Sequence, residues 1–122
     1  MIVKIGILTC IRANDVCTGA GCLNAFCDRT NAFSGYGEDM RLGAFMTCND
    51  CEDRQPLEPE EDPGMQEKLE RLVQEDIKIM HVGVCVWLKN DKFESYLCPR
   101  IIKICRMMEN SGIQVVQGTH GR

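Results

Sequence analysis

Cys48 and Cys51 are separated by two residues at the end of the apolar segment Phe45-Met46-Thr47, a spacing that gives two thiols on one turn two chemistries. They can hold one metal ion as thiolates, or cycle between dithiol and disulfide. The choice depends on what else reaches the turn. The chain has nine cysteines and two histidines in 122 residues. An odd number of thiols cannot all pair within one chain, so a closed disulfide framework leaves at least one over. A reducing, cytoplasmic setting is therefore expected, in which many cysteines serve metal or redox chemistry more often than they serve as staples. The opening residues Met1 to Leu8 lack the uninterrupted apolar core of a signal peptide, and no segment approaches the roughly 18 apolar residues of a membrane span.

The elements that must position these thiols alternate along the chain. Ile2 to Leu8 is a nearly continuous apolar run rich in β-branched residues, which predicts a strand buried on both faces, with Cys10 at its carboxyl end. Ala20 to Phe26 follows a turn-like stretch and predicts a short helix with Leu23, Phe26 and Cys27 on its buried side. Leu42 to Met46 predicts the second strand, which ends at Cys48. Glu52 to Gly64 carries six carboxylates, one arginine and three prolines, the composition of a solvated loop. Asp62-Pro63 then reads as an N-cap with proline in the first helical turn, and Met65, Leu69, Leu72 and Val73 recur at helical spacing.

Ile77, Ile79, Met80, Val82, Val84 and Val86 predict a third strand closing near Cys85. Lys89 to Leu97 reads as a polar connection. Cys98-Pro99 opens a last helix, with Ile101, Ile104, Cys105 and Met108 on its apolar stripe, and Ile113 to Gln117 predicts a final strand before Thr119-His120. Cys27 and Cys105 are expected in the core. His81, inside its strand and roughly 13 Å of backbone from Cys85, is not expected to share an ion with it.

This alternation predicts one α/β domain over residues 1–122. It is expected to be three-layered, with a mostly parallel sheet of about four strands and helices on both faces, flavodoxin-like or Rossmann-like in type. In such sheets the loops beyond the carboxyl ends of the strands gather at one crevice. Cys10, Cys48, Cys51, Cys85 and His120 fall at those ends, Cys98 opens a helix on the same side, and Cys17 lies in the first loop.

Other chemistries fit less well. A phosphatase-type loop would place an arginine where Val16 follows Cys10, and no glycine-rich phosphate loop follows a strand. A net charge of −4, with no basic stripe and few aromatics, argues against a nucleic-acid partner.

The cysteine positions together resemble those of the CGGC domain family. Lys4-Ile5-Gly6-Ile7 with Cys10 resembles its opening strand, and Val16-Cys17-Thr18-Gly19 with Cys22 resembles a C-P-G-x-x-C stretch. Phe45 to Cys51 resembles the central C-G-G-C segment, Ile79 to Cys85 and Cys98-Pro99 resemble two later cysteine segments, and Thr119-His120 resembles the closing T-H. Asn49-Asp50 replaces the glycine pair, and Arg100 stands where the family often has histidine. The resemblance implies binding of a metal such as zinc.

The expectation is a metal-binding protein with a metal ion as partner and with neither nucleic acid nor membrane. Cys48, Cys51, Cys85 and Cys98 are the expected core ligands, with Cys10, Cys17 and His120 as alternates or supporting groups. Zinc is the default and an iron–sulfur cluster the rival, because thiolates suit both. The alternative is a dithiol/disulfide oxidoreductase using Cys48 and Cys51.

Overall fold

The computed structural model describes residues 1–120. The regular elements run β1 (Val3–Thr9), α1 (Ala20–Asp28), β2 (Met40–Thr47), α2 (Pro63–Gln74), β3 (Ile77–Val82), β4 (Trp87–Lys89), β5 (Ser95–Leu97), α3 (Pro99–Asn110) and β6 (Gln114–Gln117). β2, β1, β3 and β6 pair in that order in one parallel sheet, and β4 and β5 form a separate antiparallel hairpin. The expected parallel α/β sheet of four strands is present.

Side chains alternate across the central strands and build two cores. Ile5 and Ile7 of β1 join Cys22, Ala25 and Phe26 of α1 and Phe33 on one face. Leu8, Met80 and Val82 join α2 and α3 on the other, through Met65, Leu69, Leu72, Ile101, Ile104, Cys105 and Met108. β1 has no exposed flank, which is why its run reads as continuously apolar. Gly6 is required at its middle, because a Cβ there would collide with the sulfur of Met80.

The capping signals hold. Asp62 accepts a hydrogen bond from the Gly64 amide at 2.9 Å, and Pro63 and Pro99 occupy the first turns of α2 and α3. Three expectations need correction. β3 stops at Val82: the Gly83 amide makes the last bond to β1, at the Leu8 carbonyl (2.9 Å), and Val84 to Val86 then form a single 3-10 turn. The apolar pattern continues through that turn only because Val86 is itself core. The stretch Lys89 to Leu97 is largely hairpin, turned by the Asn90 side chain, which accepts from the amides of Lys92 (2.9 Å) and Glu94 (3.0 Å). In α1 the buried face is rotated by one position. Cys22, Ala25 and Phe26 are inside, whereas Leu23 is exposed and Cys27 faces solvent. Among the described residues, no helix is long and apolar enough to cross a membrane.

Candidate metal centre

The sheet order places β2 and β3 on opposite sides of β1, so the chain switches direction at the carboxyl end of β1. Loops diverge at such a point and leave a crevice. Cys10 follows β1 directly and Cys48 follows β2, and the Cys48 amide donates to the Thr9 carbonyl at 3.2 Å, carrying the strand pairing past both ends. The Cys48 sulfur accepts from the Ile11 amide at 3.5 Å, and the Cys85 sulfur accepts from the Cys10 amide at 3.3 Å. The Asn14 side chain pins this loop by donating to the Thr9 hydroxyl and the Cys10 carbonyl, both at 3.0 Å.

Cys10, Cys48, Cys51 and Cys98 line one small enclosed cavity of about 40 Å³, whose other walls include Val86, Leu88, Ile101, Asp50 and Arg100. Cys98 comes to it from the N-cap of α3, its amide tied to the Val86 carbonyl at 3.1 Å. Four of the seven candidate ligands are thus brought together. Cys85 lies beside Cys10, held by its amide. Cys17 is exposed on the turn before α1, where its sulfur accepts from the Gly19 amide at 3.3 Å. His120 packs against α1, and a Cβ on Gly21 would lie 2.8 Å from its ring. Its Nδ1 is buried without a hydrogen-bond partner among the described residues. All nine cysteines are free thiols.

His81 is fully buried in the core. Its Nδ1 lies 2.9 Å from the Gly118 carbonyl, which can only accept, so Nδ1 carries the proton and Nε2 receives the Tyr36 hydroxyl at 2.6 Å. Both ring nitrogens are occupied. Burial holds this imidazole below its ordinary pKa.

The residues that replace the glycine pair fix the turn between Cys48 and Cys51. Asn49 donates to Asp62 at the start of α2 (2.8 Å) and accepts from Lys68 (2.7 Å), which also donates to the Thr47 carbonyl at 2.7 Å. Asp50 takes a positive φ of 88°, a conformation aspartate tolerates when its side chain is anchored. The anchors are the Cys51 amide and Arg12 Nε, both 2.7 Å from Oδ1. Arg12 also binds Asp53 at 2.5 Å. The Cys51 amide and Arg12 hold the Asp50 carboxyl below its usual range, and Arg12 does the same for Asp53. Sequence reasoning passed over Arg12 and Lys68 and marked Arg100 only as standing where the family often has histidine; the two polar residues between the cysteines were its one signal that side chains hold this turn.

Among the described residues, the trio of metal-binding types whose ligand atoms all lie within 4.8 Å of one another is Asp50, Cys51 and Asp53. Arg12 already occupies both carboxylates, so this convergence is accounted for by the guanidinium. The thiol-lined cavity has the softer donors, although Asp50 and Arg100 share its wall and, among the described residues, no three of its sulfurs lie within 4.8 Å of one another. Burial pushes the thiols of Cys51 and Cys85 up, opposed at Cys51 by the charge of Arg12 and at Cys85 by the Cys10 amide. Without a cation between them, the thiols of Cys51 and Cys85 therefore favour the neutral form.

The family model described as the CGGC domain matches residues 4–120. No curated protein and no solved structure matches the chain.

Proposed function

The chain belongs to the CGGC domain family, and on that premise we propose that it is a metal-binding domain in which Cys10, Cys48, Cys51 and Cys98 hold a single zinc ion. The observation that carries this reading is the convergence of these cysteines, from the ends of β1 and β2 and the start of α3, on one enclosed cavity. Four thiolates match the tetrahedral preference of structural zinc. Cys10 takes the place expected for Cys85, which does not line the cavity and whose sulfur accepts from the Cys10 amide. Cys17 and His120 are not among the residues that line the cavity.

The volume favours a lone ion over an iron–sulfur cluster. About 40 Å³ is a few times the roughly 10–15 Å³ that one water requires, which suits an ion among its ligands and not four irons with four sulfides. Bound zinc would keep the thiols deprotonated and staple together the segments that carry them. A closed set of four protein ligands leaves no position for a substrate, so the ion's role is structural.

The dithiol reading of Cys48 and Cys51 has weaker support. A reactive thiol needs a lowered pKa, whereas burial raises that of Cys51, and the segment after it is turns and loop with no helix to favour a thiolate. Elemental analysis and an absorption spectrum of anaerobically purified protein test the proposal. About one zinc per chain and no visible colour is expected; a broad visible band would replace zinc with a cluster, and a folded, metal-free protein would remove the metal reading.

A further inference from the structure

A second, larger cleft of about 510 Å³ opens against the outer walls of the thiol cavity and shares Cys51, Leu88, Cys98 and Arg100 with it. Its size lies within the roughly 300–1,000 Å³ of small-molecule sites, and its floor is largely apolar. The charges along it are mostly committed. Asp53 is bound by Arg12 and Glu58 by Lys103, at 2.5 and 2.8 Å. Arg100 differs. Its Nη2 donates to the Leu57 carbonyl, while Nη1 is buried with no hydrogen-bond partner, and no carboxylate lies within ion-pair distance of it among the described residues. A guanidinium has five donors in a fixed fork, and leaving one buried and unmet is costly unless an acceptor arrives.

We propose that this cleft binds a small organic oxyanion, a carboxylate or a phosphate ester, through Arg100. The fork of Arg100 is suited to a planar or tetrahedral oxyanion, with one arm fixed by Leu57 and the other buried without a partner among the described residues, so that the guanidinium turns toward the cleft to meet the ligand. Leu88 and Pro99 would cover the ligand's carbon skeleton, and its head would lie beside Cys51 and Cys98. Glu52 carries the remaining charge on the cleft wall for which no ion pair is found, and it opposes an anion. The site adjoins the proposed zinc site and shares Cys51 and Cys98 of its wall, but Arg100 itself is not needed as a metal ligand.

Calorimetric titration of the purified protein with succinate and, separately, inorganic phosphate tests this. Saturable binding of either probe is expected, and which one binds identifies the head group. Arg100→Gln should weaken it by about tenfold or more, as expected for a charge-assisted bond, and Arg100→Lys should recover part of the loss. Glu52→Gln, at a position exposed to solvent, should tighten it. No binding of either probe, or binding that ignores both Arg100→Gln and Glu52→Gln, would overturn the proposal, and either result leaves the zinc measurement untouched.

Discussion

The amide of Cys10 donates to the sulfur of Cys85 across 3.3 Å, joining the carboxyl ends of β1 and β3 at the point where the chain changes direction. In the proposed zinc site Cys85 is a supporting group, because it does not line the thiol cavity and its sulfur is an acceptor for the backbone. Cys85→Ala should cost about 1 kcal/mol through the stranded amide, a fall of roughly 4 °C in Tm, while zinc content stays near that of the parent. Cys98→Ala should release the metal. Thermal melts with elemental analysis of the two variants check this pair of outcomes.

Arg12 is the clamp of the Cys48–Cys51 turn, since it holds Asp50 and Asp53 together from the loop after β1. Arg12→Gln leaves two carboxylates facing each other beside Cys51 and frees the turn. By the usual effect of outer-shell partners, zinc affinity should fall about 10–100-fold with the fold intact. Competition against a chelating dye measures it.

His81 is buried and neutral, with a pKa held below its ordinary 6.5 by burial. The unfolded chain then binds more protons than the folded one as pH falls below 6.5, so stability is lost through that range until the folded imidazole itself titrates. Urea denaturation across this interval should show the decline. His81→Gln should flatten it, and an equally steep decline in the variant would assign the effect to other groups.

Cys105 moves in the opposite sense. Burial in the core pushes its thiol up from 9.0 to about 11. The folded chain keeps this proton longer than the unfolded one, so the contribution is complete below pH 9 and lost as pH rises toward 11. The loss is on the order of 2 kcal/mol. In Cys105→Ala the alkaline slope should shrink, although the variant is less stable at neutral pH because of the lost sulfur.

Much of the frame was legible because the determining forces are local. Asp62-Pro63 and Cys98-Pro99 announce two helices through capping and the fixed φ of proline, and the nearly continuous apolar run Ile2 to Leu8 announces a strand that is buried from Ile5 onward. The turn at Gly83 was not legible, because Val86 stays apolar for the core and the strand pattern runs on through it. In α1 the choice of face lies with tertiary packing: Cys22 meets Thr119 at 3.1 Å, a partner almost the whole chain away, and this turns Cys27 outward. The thiol pair Cys48–Cys51 could be placed at a strand end from pattern alone. The exchange of Cys85 for Cys10 at the cavity could not, since it depends on which way each loop turns after its strand. Nor could the roles of Arg12 and Arg100, whose partners are 38 or more positions distant.

The central claim is a single ion held by four thiolates, and zinc-edge X-ray absorption on the anaerobically purified protein tests it most directly. The spectrum should fit four sulfur neighbours at about 2.3 Å with no lighter ligand, and this shell should lose a sulfur in Cys10→Ser while staying whole in Cys85→Ser. A first shell containing nitrogen or oxygen, or one that depends on Cys85 and not on Cys10, would contradict the account.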